Sequence, residues 1–126
     1  MKSRSFLALG LVLALAACST PDDGPSTDAA GADALTVTVS DFMIDPSDLE
    51  VDGSTVTIDV VNDGPTPHNL SVRDADGEVV MATADLSTDE TETITGELEP
   101  GEYTIFCSLS GHESLGMSGT LTVSGS

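Results

Sequence analysis

Tryptophan is absent from this chain of 126 residues, and the other aromatics amount to three Phe and one Tyr. A core so short of large rings has to be built from Val, Ile and Leu. Basic residues are almost missing too: three Lys and Arg stand against 22 Asp and Glu, a formal charge of −19. Such a chain has little with which to neutralise phosphates, so nucleic acid and anionic lipid surfaces are excluded as partners held by charge. Cysteine occurs only at positions 18 and 107, and histidine only at 68 and 112. The one continuous apolar run, Phe6 to Ala17, falls short of the roughly 20 residues that a membrane-spanning helix needs.

That run has another meaning. Lys2 and Arg4 precede it and small residues close it, which predicts a signal peptide over residues 1–17. Leu15-Ala16-Ala17-Cys18 resembles the lipobox of bacterial lipoproteins. The resemblance implies that Cys18 becomes the lipidated N-terminus. Two or three acyl chains then hold the protein to the outer side of the membrane, at about 0.8 kcal/mol for each buried methylene. The alternative is a secretory signal cut elsewhere, with Cys18 a bystander. Removal of the leader leaves Arg73 alone against 22 acidic residues, hence a formal −21. This acidity fits either docking to a basic partner or solubility in high salt. With Cys18 lipidated, Cys107 is the remaining thiol and an intramolecular disulfide is excluded. Residues 18–34 continue with Ser, Thr, Pro, Gly, Asp and Ala and no apolar period, which predicts a disordered tether.

Residues 35–126 form the expected domain. Leu35, Val37 and Val39 alternate with Thr36 and Thr38, and Val56, Ile58 and Val60 with Thr57 and Asp59. Tyr103, Ile105 and Cys107 alternate with Thr104 and Phe106, and Leu121 and Val123 with Thr120 and Thr122. A period of two marks half-buried strands. Shorter strands are expected near Leu49–Val51, Leu70–Arg73, Val79–Thr83 and Thr91–Thr95. Turn signals separate them at Asp52-Gly53, Asn62-Asp63-Gly64-Pro65, Asp76-Gly77 and Glu99-Pro100-Gly101. One short helical turn is expected around Ala82–Leu86. The pattern predicts an all-β Greek-key sandwich.

The chemistry concentrates in Tyr103 to Met117. Cys107, His112 and Met117 follow one another with four residues between neighbours, and His68 lies upstream in Gly64-Pro65-Thr66-Pro67-His68-Asn69-Leu70. Two imidazoles, a thiolate and a thioether make a soft donor set, suited to copper in a trigonal site with a weak axial Met. The alternation places Cys107 on the inward face with Tyr103 and Ile105. Gly111 and Gly116 permit the turns that a curled ligand loop requires. Met43 and Met81 lie outside the loop and are expected to serve packing. The acidic residues are too numerous for any pair to be singled out as catalytic.

The stretch Leu98-Glu99-Pro100-Gly101-Glu102-Tyr103-Thr104-Ile105-Phe106-Cys107, with His112 and Met117 after it, resembles the copper loop of cupredoxins. Pro67-His68-Asn69-Leu70 resembles their upstream His-Asn motif. Phe42, Ile44 and Pro46, then Leu49, Val51 and Gly53, resemble their opening strands. The Cys-x4-His-x4-Met spacing is longer than in plastocyanin and similar to that of auracyanins and rusticyanin. The resemblance implies one mononuclear type 1 copper, with His68, Cys107 and His112 as equatorial ligands and Met117 as the axial one. It implies that Asn69 braces the Cys loop, with Ser108 as the neighbouring residue behind the ligands. It implies electron transfer with no enzymatic pocket, through the edge of His112. Leu109, Leu115 and Pro65 or Pro67 are expected to surround that edge. The partner is then another redox protein, such as a cytochrome or a terminal oxidase or reductase, and the carrier a monomer.

Rival readings fare less well. A binuclear copper centre needs a second Cys in the loop, and position 111 is Gly. A multicopper oxidase needs more His than two. A structural zinc site with Cys and two His usually takes a harder fourth ligand than Met. A nucleophilic Cys107–His112 pair lacks a predicted helix N-terminus to activate the thiol. A copper-delivery lipoprotein on the same scaffold remains the alternative, although the chain has no Met-rich or His-rich tract.

Overall fold

The computed structural model describes residues 34–125. The expected signal peptide over 1–17, Cys18 and all but the last residue of the linker lie outside the described residues. Nine strands form: β1 (Leu35–Ser40), β2 (Met43–Asp45), β3 (Asp48–Asp52), β4 (Thr55–Asn62), β5 (Ser71–Arg73), β6 (Val79–Ala82), β7 (Thr91–Glu97), β8 (Gly101–Phe106) and β9 (Ser118–Ser124). One 3₁₀ turn covers Glu113–Leu115.

Two mixed sheets face each other, one in the order β2-β1-β4-β7 and the other β3-β9-β8-β5-β6. β1 runs parallel to β4, with Val37 opposite Val60, and β3 runs parallel to β9, with Leu49 opposite Leu121. Parallel neighbours cannot be joined by a tight turn. The chain therefore switches sheets after β2, β3, β4, β6 and β7, which makes the expected Greek-key sandwich. β4 shows why the alternation works. Val56, Ile58 and Val60 are fully buried, while Thr55, Thr57 and Asp59 are half-exposed. Val37, Val39, Val56, Ile58 and Val60 meet Leu49, Val72, Ile105, Leu121 and Val123 from the other sheet. Truncating a buried Ile or Leu in such a core costs about 2–5 kcal/mol.

The structure departs from the expected pattern in four places. Ala82–Leu86 forms no helical turn. Instead Leu86 exchanges two backbone hydrogen bonds with His68, at 2.8 and 3.1 Å, and only extended backbone can make such a bridge. β5 begins at Ser71, because the Leu70 N–H bonds Thr83 Oγ1 (3.1 Å) and its carbonyl bonds the Thr83 N–H (2.9 Å). Cys107 lies one residue beyond β8, with its N–H donated to the Met117 carbonyl (3.1 Å). Phe106, which the alternation turns outward, is buried nonetheless. The Arg73 guanidinium covers its ring, with Cζ 4.3 Å from the centroid, a cation–π contact.

The β4–β7 ladder ends on a carboxylate. Thr55 Oγ1 donates to Glu97 Oε1 (2.6 Å) and Ser54 Oγ to Oε2 (3.0 Å). The Thr55 bond first, then the Ser54 bond, holds the Glu97 carboxyl below the usual glutamate range. The folded state therefore binds this proton less readily than the unfolded chain. The resulting stabilisation is complete above the ordinary glutamate range and is lost as pH falls through the lowered folded value. Thermal unfolding of wild type and Glu97→Gln across the acid range should show the stability difference shrinking as pH drops. A constant difference would assign no such role to the carboxylate.

Candidate metal centre

Four loops meet at one pole of the sandwich: the β1–β2 turn, the β4–β5 loop, the β6–β7 loop and the β8–β9 loop. His68 comes from the β4–β5 loop and is fully buried. Asn62, the last residue of β4, shapes that loop. Its Nδ2 donates to the carbonyls of Thr66 and Leu86, both at 2.8 Å, and its Oδ1 accepts the Gly64 N–H at 2.9 Å. An unpaired buried amide would cost about 1–3 kcal/mol, so this full pairing fixes the loop. The bridge to Leu86 then sets the His68 backbone from the other side.

The β8–β9 loop carries the remaining members. Cys107 and Met117 are fully buried, and His112 is half-buried. The Met117 N–H returns to the His112 carbonyl (3.1 Å), and Gly111 and Gly116 adopt φ of 82° and 121°. Both lie in the region that costs L side chains strain, as the curled loop requires. Two clamps hold the loop to the sandwich. Arg73 forks onto the Glu113 carboxylate, with Nη1 to Oε2 at 3.1 Å and a second bond from Nη2 to Oε1. Asn69 accepts the Ser108 N–H (2.8 Å) and donates to Ser108 Oγ (2.9 Å) and Asp85 Oδ1 (2.8 Å).

The donor atoms converge. His68 Nδ1 lies 3.2 Å from His112 Nδ1, which lies 3.6 Å from Cys107 Sγ, and the three ligand atoms all fall within 4.8 Å of one another. Three electron-rich atoms at such distances repel unless a proton or a cation lies among them. A soft sulfur with two imidazole nitrogens is a donor set for copper or zinc, so the residues fit a transition-metal ion. The fully buried Met117 closes the same loop.

Behind the cluster stands a group that sequence reading did not single out. Asp41 Oδ1 is 3.0 Å from His68 Nε2 and accepts the Thr66 hydroxyl at 2.6 Å. Those bonds, Thr66 first and His68 second, hold the Asp41 carboxyl below the usual range. An ionised carboxylate cannot donate, so in this contact Nε2 is the donor, and Nδ1 faces the cluster. Phe42 follows Asp41 with φ of 60°, unusual for a bulky residue, and its ring meets the edge of His112 at 5.8 Å and 71°. Phe42, Met43 and Leu115 are exposed at this pole, as are Pro65 and Pro67, whereas Leu109 is half-buried against the core. Thr66 sits in the bend two residues before His68, where no strand period marks it. Asp41 had no signal either, being one acid among 22.

A family model described as a cupredoxin-like domain matches residues 6–123. No curated protein sequence matches the chain. Among solved structures, a dithionite-reduced auracyanin from the photosynthetic bacterium Roseiflexus castenholzii superposes with a TM-score of 0.67 at 22% identity, covering 75% of this chain and 99% of the other. Auracyanin B gives 0.66 at 22% identity, with 72% and 88% covered. A purple cupredoxin from Nitrosopumilus maritimus gives 0.54 at 22% identity, with 71% and 99% covered. At these identities the likeness is one of fold.

Gly64 offers a test of how tightly the pole is built. A Cβ there would lie 3.1 Å from His68 Nε2, 3.0 Å from the Ser40 Cα and 3.1 Å from the Asp41 nitrogen. Two of these neighbours are backbone, so the imidazole has to give. Gly64→Ala should destabilise the fold by about 1–3 kcal/mol in urea unfolding and shift the His68 ring resonances. An unchanged midpoint with unmoved resonances would show that the pole has room to spare.

Proposed function

The chain belongs to the cupredoxin-like domain family, and from that premise we propose that it is a mononuclear copper protein that carries single electrons between redox partners. The observation that carries this reading is the convergence of His68 Nδ1, His112 Nδ1 and Cys107 Sγ within 4.8 Å. These three residues would hold the ion, with Met117 as the weak fourth ligand. Bound copper supplies a one-electron couple between Cu(II) and Cu(I). The protein's part is to keep the donors in place and water away. Cys107 and His68 are fully buried, and the loop that bears three ligands is clamped at Glu113 and Ser108.

His112 is the half-buried ligand, and the exposed Phe42, Met43 and Leu115 surround its side of the pole. An apolar area with an acidic surface around it fits a partner with a matching apolar face and basic rim. A cytochrome or a terminal oxidase or reductase has the required one-electron chemistry. We place the protein outside the cytoplasm, anchored through lipid on Cys18, on the strength of the Leu15-Ala16-Ala17-Cys18 motif. Copper delivery is the weaker reading, because fast handover calls for exposed ligands and three of these four are buried.

The test is a Cu(II) titration of the full-length protein in detergent, followed by visible absorption and EPR, with Cys107→Ser beside it. An intense thiolate-to-copper band with narrow hyperfine splitting, absent from the variant, is the expected outcome. Reversible one-electron cycling of that band should accompany it. Copper binding without the band, or no binding, would rule out the carrier.

A further inference from the structure

We propose that Asp41 is a positioning residue of the metal centre: its carboxylate, bonded to His68 Nε2, orients the ligand and biases the site toward the oxidised ion. The inference rests on the copper reading above and concerns a residue that reading does not use.

Two effects of the contact act in the same direction. A carboxylate at 3.0 Å from an imidazole N–H draws the hydrogen toward itself and leaves the ring's other nitrogen a stronger donor. A stronger donor favours Cu(II) over Cu(I), since the more highly charged ion gains more from electron donation. The carboxylate also places a negative charge directly behind the ligand, which again favours the higher charge. The Asp41 side chain is 39% exposed, so water screens its long-range field. The short hydrogen bond is not screened in this way, because the His68 ring it reaches is 0% exposed.

The surroundings are built to keep this contact. The Thr66 hydroxyl holds the same oxygen, Asp41 Oδ1, at 2.6 Å. Gly64 leaves space beside Nε2 and the Asp41 backbone. In the turn that presents Asp41, Phe42 lies in the left-handed region, at φ of 60°. A bulky residue held there stores strain, and strain of this kind persists where neighbouring contacts over-determine it. The one turn thus places a carboxylate behind His68 and an aromatic edge against His112.

A purely structural role would be a clasp between the β1–β2 turn and the β4–β5 loop. Asp41→Asn separates the two, because the amide oxygen keeps the acceptor and the shape while removing the charge. The full-length copper-loaded protein should be compared as wild type, Asp41→Asn, Asp41→Glu and Asp63→Asn. Asp63 is an exposed acid on the adjacent loop and matches the charge change. Midpoint potentials would be read by spectroelectrochemistry on the thiolate band, and the His68 tautomer by nitrogen NMR of the copper-free protein. We expect Asp41→Asn to weaken the preference for Cu(II) about tenfold, a rise of about 59 mV for a one-electron couple. Asp41→Glu should recover part of the shift, Asp63→Asn should stay close to wild type, and His68 should carry its hydrogen on Nε2. An Asp41→Asn potential no different from that of Asp63→Asn, or a hydrogen on Nδ1, overturns the proposal while leaving the copper site intact. A wild-type protein without the thiolate band removes the copper reading and this inference together.

Discussion

Both nitrogens of the buried His68 ring are committed, and much of the upper pole is arranged so that they can be. A fully buried imidazole is tolerable only when each polar atom has a partner. Asp41 and Thr66 serve Nε2, while Nδ1 faces His112 and Cys107. Thr66 lies in the β4–β5 loop itself, but the Asp41 bond and the contacts of Nδ1 both come from outside it. One depends on the β1–β2 turn of the same sheet, the other on the β8–β9 loop of the facing sheet. The ring therefore ties the two sheets together at the end where the strands stop pairing. Among the described residues no buried side-chain nitrogen or oxygen lacks a hydrogen-bond partner, so the arrangement carries no outstanding polar cost.

Much of this was legible in the chain itself. Strict alternation located β1, β4, β8 and β9, because each places one apolar face on the core and Thr, Asp or Glu on the other. The sandwich followed from their number and from the turn signals between them. Short elements were less legible. Leu70 has the composition of a strand, yet its backbone groups go to Thr83 across a loop, and no local pattern announces that partner. Ala82–Leu86 has fair helix propensity and is overridden by pairing with His68. Phe106 breaks the inward–outward rule because a cation from β5 shields it, a contact made between distant segments. At the centre, the rare residue types stood out, whereas Asp41 could not: in a chain so rich in acid, one more carboxylate carries no information. What singles it out is distance to a ring, which only the fold supplies.

The ligand loop is stiff for its length. It begins and ends on one ladder, with Cys107 bonded to Met117, and it is held midway by Glu113 and near its start by Ser108. Rigid support of this kind keeps donor atoms in place without the ion having to gather them. A site held by its scaffold alters little when the charge of its occupant changes, which is the physical requirement for moving electrons with a small barrier. The same stiffness follows from the modest means of the fold: a core of Val, Ile and Leu, and polar clasps where a larger protein would use aromatic bulk.

Arg73 is the sole Lys or Arg among residues 34–125, and it is spent internally, flat on Phe106 and forked onto Glu113. Among the described residues no lysine or arginine remains to meet the acids of a second copy. Over the last ~8 Å of approach at physiological ionic strength, two such molecules only repel. For an electron carrier this suppresses self-exchange. Electrons held by one copy would then not diffuse sideways through a population of its fellows. In a carrier of that kind, exchange would be left to surfaces of opposite sign, and the charge of the chain itself would set the direction of flow.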